Sequence, residues 1–205
     1  MKNSWNRFIY ACWAPVYDGL IGVRPLREAR ARALDQLHLL PEERVLVVGV
    51  GTGADLPLLP SRVEVIAIDI SRAMLRVAAG KLQKSPEQTQ FVVADAMSLP
   101  FVENEFDAVV LTLILSVVPD GRACLREVSR VSRPQARIVV LDKFLATPAP
   151  PVWRRMANVL TQVFGTDINR RLEDLLVGTG LRIVTRQPAA FHGAYVLVEL
   201  RHDSC

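Results

Sequence analysis

The chain has 205 residues, half of them hydrophobic and 22% charged, which suits one globular domain with a substantial core and excludes a disordered protein. Its net charge of +4 is mild and permits attraction to anionic surfaces without demanding a nucleic-acid partner. Cys12, Cys124 and Cys205 form no CxxC pattern and no cluster with histidine, so neither a metal site nor a disulfide framework is indicated, and a reduced, cytoplasmic setting is expected.

No apolar run reaches the roughly 18 residues of a membrane span. The longest candidate, Ala108 to Val118, is interrupted by Thr112 and Ser116. The N-terminal stretch has Lys2 and Arg7, but Asn3, Ser4, Asn6 and Asp18 deny it the apolar core of a signal peptide.

The first forty residues read as helical, with aromatics at Trp5, Phe8, Trp13 and Tyr17. A second helix is expected over Pro25 to Leu39, where Leu26, Ala29, Ala33 and Leu37 recur at helical spacing, accompanied by Arg24, Arg27, Arg30 and Arg32. Short β-branched apolar runs follow: Arg44 to Val48, Val63 to Ile68, Gln90 to Val93, Asp107 to Leu113 and Arg137 to Leu141. Between them, Ser71 is placed to cap a helix over Arg72 to Gly80. Asp120 is placed to cap another over Gly121 to Ser132, which Pro134 would stop. Strands that are apolar throughout and alternate with helices predict an α/β fold with a doubly wound, mostly parallel sheet.

Beyond a Pro-rich connection, Thr147 to Pro151, lie a basic helical segment around Trp153 to Phe164 and a helix after Asp167 that ends near Gly178 or Gly180. The runs Leu181 to Arg186 and Ala194 to Leu200, with Pro188 and Gly193 between them, predict an antiparallel pair at one sheet edge.

Gly49-Val50-Gly51-Thr52-Gly53 directly follows a buried strand. Glycines allow a tight turn and a close approach of backbone to ligand, and a helix after the loop would present free N–H groups. In an open parallel sheet, ligands bind at the carboxyl ends of strands where the order reverses. Asp69 ends the second strand, where its carboxylate can accept two ribose hydroxyls. On its own this loop also satisfies the dinucleotide pattern through Gly49, Gly51 and Ala54, so a nicotinamide-dependent oxidoreductase competes at this point. Asp95, with Ala96 after it, places an acceptor and a backbone donor at the end of the third strand, suited to an adenine ring.

Taken together, Val45 to Gly53, Ile68-Asp69, Ala94-Asp95-Ala96, Phe106-Asp107 and Glu127 to Pro134 resemble the successive motifs of class I S-adenosylmethionine-dependent methyltransferases. They cover about residues 44 to 142. The resemblance implies a seven-stranded sheet edged by the antiparallel C-terminal pair, with S-adenosylmethionine as cofactor. It implies cofactor contacts from Gly49, Gly51, Thr52, Gly53, Asp69, Ile70, Asp95, Ala96 and Leu111, and no metal. Within one domain, residues 1–40 would form a helical cap, 44–142 the cofactor core, 148–178 a lid or substrate region, and 181–201 the strand pair.

The stretch Leu46 to Pro57 is similar to the loop of bacterial phosphatidylethanolamine N-methyltransferases, as are Tyr17-Asp18, Leu111 to Asp120 and Gly165 to Arg171. A phospholipid amine is therefore the expected acceptor, with quinones and small thiols as alternatives. Two departures stand out. Val47 occupies the place of the usual acidic residue two positions before the first loop glycine, which also motivates a binding protein without turnover. The usual Pro-Gly-Gly before the fifth strand is Pro134-Gln135-Ala136.

Methyl transfer needs a lone pair held in line with the donor sulfur, and an amine acceptor must also lose a proton. Asp142, at the end of the fifth strand, and Tyr17 are the candidate catalytic groups. An ion pair or cap explains Asp142 as readily, and an aromatic packed on the sheet explains Tyr17. Tyr10, His38 and His192 are weaker candidates. The partners expected are a small-molecule or lipid acceptor and a peripheral membrane surface. That surface would meet Trp5, Phe8, Trp13, Trp153, Arg154 and Arg155. No nucleic acid is expected, because no Asp/Asn-Pro-Pro-Tyr-type tetrapeptide follows the fourth strand, and the chain is expected to be a monomer or weak dimer.

Overall fold

A computed structural model describes residues 23–82, 88–145 and 170–203. The N-terminal aromatics with Tyr10 and Tyr17, the Pro-rich connection, the basic segment around Trp153 and residues 165–169 lie outside the described residues.

The elements are α1 (Arg24–Asp35), β1 (Arg44–Val48), β2 (Glu64–Asp69), α2 (Arg72–Lys81), β3 (Thr89–Val93), β4 (Phe106–Thr112), α3 (Gly121–Val131), β5 (Ser132–Asp142), α4 (Leu172–Leu176), β6 (Leu181–Ala190) and β7 (Tyr195–His202). The seven strands form one sheet in the order β3-β2-β1-β4-β5-β7-β6. The first five are parallel to one another, and β7 runs antiparallel to both β5 and β6. The doubly wound sheet and its antiparallel C-terminal pair are as expected.

Alternation along the strands builds two cores. Leu46, Ile66, Val109, Leu111 and Ile138 face one side, where Leu125, Val128 and Val131 of α3 cover them. Val45, Val47, Val65, Ala67 and Val110 face the other, under Ala33 and Leu34 of α1 and Leu75 and Ala78 of α2. Over the central strands β1, β2 and β4 both faces are dry, which is why these read as continuous apolar runs.

Local chemistry sets the helix boundaries. Ser71 accepts from Met74 N–H at α2, and Asp120 accepts from Arg122 and Ala123 N–H at α3, so both expected caps form. Helix α3 ends at Val131, where the Ser132 hydroxyl donates to the carbonyl of Val128, before Pro134 is reached. Strand β5 is thus longer than the expected Arg137 to Leu141. Among its extra residues, Arg133 to Gln135 are exposed and coincide with an irregular register between Phe106 and Ala108 of β4.

One expectation fails. No α-helix follows the glycine loop, only a 3-10 turn at Leu56–Leu58. Pro57 and Pro60 lack the N–H groups that an α-helix would need there. Among the described residues, no helix is long and apolar enough to cross a membrane.

Candidate active site

A cavity opens at the carboxyl ends of β1, β2, β3 and β4, where the strand order reverses around β1. Of the expected cofactor residues, it brings together Gly49, Gly51, Thr52, Asp69, Ile70, Asp95 and Ala96. Gly53 and Leu111 are not part of its wall.

Asp69 organises the part of the cavity at the end of β2. Its Oδ2 accepts from Gly51 N–H at 2.9 Å and its Oδ1 from Ser71 N–H at 2.8 Å. Each oxygen keeps a second lone pair for a ligand hydroxyl. Burial pushes its carboxyl pKa up, and the two N–H bonds pull against that rise. Gly51 has φ +55°, and a Cβ there would meet nothing within 4 Å. A side chain would strain the backbone and take up room in the cavity. At Gly53 the constraint is different: a Cβ would stand 3.0 Å from Cβ of Ala78, so this glycine seats the loop on α2.

Asp95 Oδ1 accepts from Met97 N–H at 2.9 Å, turning the chain back after β3. The segment that follows is clamped from α3. Glu127 accepts from Leu99 N–H at 2.7 Å, and Arg130 donates to the carbonyls of Phe101 and Leu99 while pairing with Glu127. The Arg130 guanidinium holds the Glu127 carboxyl below its ordinary pKa. The motif from Glu127 to Pro134 thus works at a distance, by bracing the loop that carries Asp95.

The opposite wall is apolar, formed by Leu113, Ile114, Val117, Val118 and Pro119. Leu111 stays behind it, fully buried in the core and paired with Val48 of β1 and Val140 of β5, because β4 has not yet left the sheet at that point. The chain departs at Leu113, whose φ of +58° is unusual for a branched side chain and whose N–H donates to Leu141 at 2.8 Å. Arg170 holds this wall by donating to the carbonyls of Leu115, at 2.6 Å, and Pro119.

Asp142 does not line the cavity. It is fully buried, and its oxygens accept from the N–H groups of Ser116 at 3.0 Å and Lys143 at 2.7 Å. Burial raises its carboxyl pKa, against these two hydrogen bonds. The expectation that it faces an acceptor is not met among the described residues, since its carboxylate is spent on holding the Leu113–Pro119 wall. Tyr17 lies outside the described residues. Among the described residues no cluster of His, Cys, Asp and Glu suits a metal. His38 and His192 both have positive φ and sit in turns away from the cavity wall.

Two charged wall residues escaped the sequence reading. Arg30 of α1 and Asp55 after the glycine loop form an ion pair at 2.7 Å, with side chains 6% and 4% exposed. Nε of Arg30 is buried without a hydrogen-bond partner. A signal was present: Arg30 falls on the stripe of Leu26, Ala33 and Leu37, where an arginine is out of place on a buried helix face. Val47, in the place of the usual acid, is 1% exposed and packs in the core under α1 and α2.

Comparison with known proteins agrees with this geometry. A family described as a methyltransferase domain matches residues 46–140. Demethylmenaquinone methyltransferase of Lactiplantibacillus plantarum is 33% identical over 74% of this chain and 69% of its own length. The chain belongs to this methyltransferase family. The Corynebacterium efficiens demethylmenaquinone methyltransferase is 37% identical over 79% of this chain, which spans 62% of that relative's length. Phosphatidylethanolamine N-methyltransferase of Cereibacter sphaeroides is 29% identical over 94% of this chain and 95% of its own. Among solved structures, a methyltransferase bound to the Haloferax volcanii Trm112 activator superposes with a TM-score of 0.77 at 15% identity, over 95% of this chain and 98% of its own. Geranyl diphosphate methyltransferase in complex with SAM gives 0.72 at 17% identity, over 85% of each chain. These two likenesses are of fold. The class I methyltransferase resemblance is borne out, and the family match removes the main support for the nicotinamide reading.

Proposed function

We propose that this chain is an S-adenosylmethionine-dependent methyltransferase acting on the amine of a phospholipid headgroup. The observation that carries the cofactor reading is Asp69, a half-buried carboxylate set by two backbone N–H groups at the switch point, with Gly51 leaving open space beside it. When bound, the cofactor supplies a methyl group on a cationic sulfur. Asp69 accepts the ribose hydroxyls, Asp95 accepts from the adenine amino group, and the buried Ala96 presents its backbone to the ring. The wall from Leu113 to Pro119 excludes water and favours an apolar or amphipathic acceptor.

The lipid amine is favoured by similarity from end to end: the bacterial phospholipid N-methyltransferase is matched over nearly the whole of both chains. Peripheral contact with a bilayer from the cytoplasmic side accompanies this reading, with Trp5, Phe8 and Trp13 as the residues for the interface. Tyr17, in the same segment, is the group proposed to orient the amine. A quinone acceptor is the second reading, favoured by the higher identity to the demethylmenaquinone enzymes.

The test is to incubate the purified chain with methyl-labelled cofactor and a bacterial lipid extract. Label in N-methylated phosphatidylethanolamine is the expected result. Label confined to the quinone fraction would replace the first reading by the second.

A further inference from the structure

The cavity has a direction. Asp95 follows β3, Asp69 ends β2, Thr112 ends β4 and Leu113 follows it, so the adenine end lies over β3 and the far end over β1 and β4. Helix α1 packs against β5, β6 and the 3-10 turn, which places Arg30 at that far end. There it meets Asp55, which belongs to the loop that also supplies Gly51 and Thr52.

This pair is an unusual thing to bury. Two charges withdrawn from water cost more than their mutual attraction returns unless their remaining hydrogen-bonding groups are satisfied. Arg30 leaves Nε–H without a partner, its Nη1 donates to Asp55, and the residue lines a cavity that no other described cation lines. The site therefore offers one cation and one anion, side by side, at the end where an acidic residue before the first loop glycine is replaced by Val47.

We infer that Arg30 and Asp55 together form the clamp for the amino-acid end of the cofactor, Arg30 taking its carboxylate and Asp55 its ammonium, in place of the missing acid at Val47. The inference rests on the cofactor reading under Proposed function and adds the residues that recognise the zwitterion. A planar guanidinium matches a carboxylate with two parallel donors, so lysine is a poor substitute. The ion pair is neutral overall, which suits a ligand end whose own two charges cancel.

The test uses two ligands that differ at that end. S-adenosylhomocysteine carries the zwitterion, and methylthioadenosine keeps the adenosine and the sulfur but lacks it. Binding of each is measured by calorimetry to the wild type, Arg30→Met and Arg30→Lys. The expected result is that Arg30→Met weakens S-adenosylhomocysteine about 10- to 100-fold, the size of a lost charge-assisted hydrogen bond. Arg30→Lys should fall between, and methylthioadenosine should change less than about twofold in both variants. If Arg30→Met does not fold, Arg30→Lys carries the comparison alone. An equal loss for both ligands, or no loss for either, overturns the clamp while leaving the cofactor reading intact. A wild type that binds neither ligand overturns both.

Discussion

The two ends of the cavity are built on different principles. At the end that holds Asp69 and Asp95, side chains are set by backbone a few residues away, Asp69 by Ser71 and Asp95 by Met97, and Asp69 also accepts from Gly51 in the glycine loop. At the far end, Arg30 reaches from a helix outside the strand-and-loop core, and Arg170 and Asp142 hold the wall from distant parts of the chain. A locally built end survives as a short motif. An end built from tertiary contacts can be reassembled from other residues and leaves little trace in any one stretch of sequence.

Substitutions at each end test how differently the two are held. The largest effect is expected at Asp55→Ala, which leaves Arg30 charged, buried and alone. Denaturant titration should show a loss of about 3–5 kcal/mol, and the double variant Arg30→Met/Asp55→Leu should recover most of it. A loss confined to the local turn, well below 1 kcal/mol, would mean that the pair is solvated and the two ends are less different than described.

Next is Asp69→Ala, which removes the acceptor of two backbone N–H groups and the proposed acceptor of the ribose. Its effect on S-adenosylhomocysteine and on methylthioadenosine should be the same, about 10- to 100-fold by calorimetry. A selective loss of the first ligand alone would assign Asp69 to the wrong end.

Asp142→Asn should cost about 1–3 kcal/mol, because an amide gives an N–H where the carboxylate accepted one. The carboxyl pKa in the folded chain lies above its ordinary 3.8, so Asp142 stabilises most in its protonated form. That contribution is complete below the ordinary value and is lost as pH rises through the raised one. Melting curves across this range should show the wild type's advantage over the variant shrinking as pH increases. Gly51→Ala is expected to destabilise by about 1–2 kcal/mol, from its positive φ, and to weaken ligand binding as the methyl occupies the cavity.

The smallest effect belongs to His202, whose ring lies 2.9 Å from the Ser132 hydroxyl and whose pKa is lowered by burial. Its contribution is present above the ordinary 6.5 and declines as pH falls through that value toward the lowered one. His202→Gln should flatten this part of the stability profile.

The sequence made the sheet legible because both faces of its central strands are dry, and the caps at Ser71 and Asp120 because they act within three residues. The glycine loop, Asp69 and Asp95 were legible for the same local reason. Leu111 was placed on the site by the family resemblance, and nothing in its apolar run marks Leu113 as the point where the backbone turns to positive φ. The helix expected after the loop was lost to Pro57 and Pro60, which periodicity alone does not weigh. Arg30 was legible in part: an arginine on an apolar stripe is a visible anomaly, but its partner 25 residues away is not.

Strand β7 lies inside the sheet, although it is last in chain order among the seven. During synthesis, β6 leaves the ribosome before the strand that joins it to β5 exists. Until His202 has emerged, the outer edge of β5 stays unpaired, an open template for another chain. The cofactor-binding strands β1 to β4 are complete long before that. Ligand can therefore favour the early half of the molecule while the late half still depends on protection from aggregation.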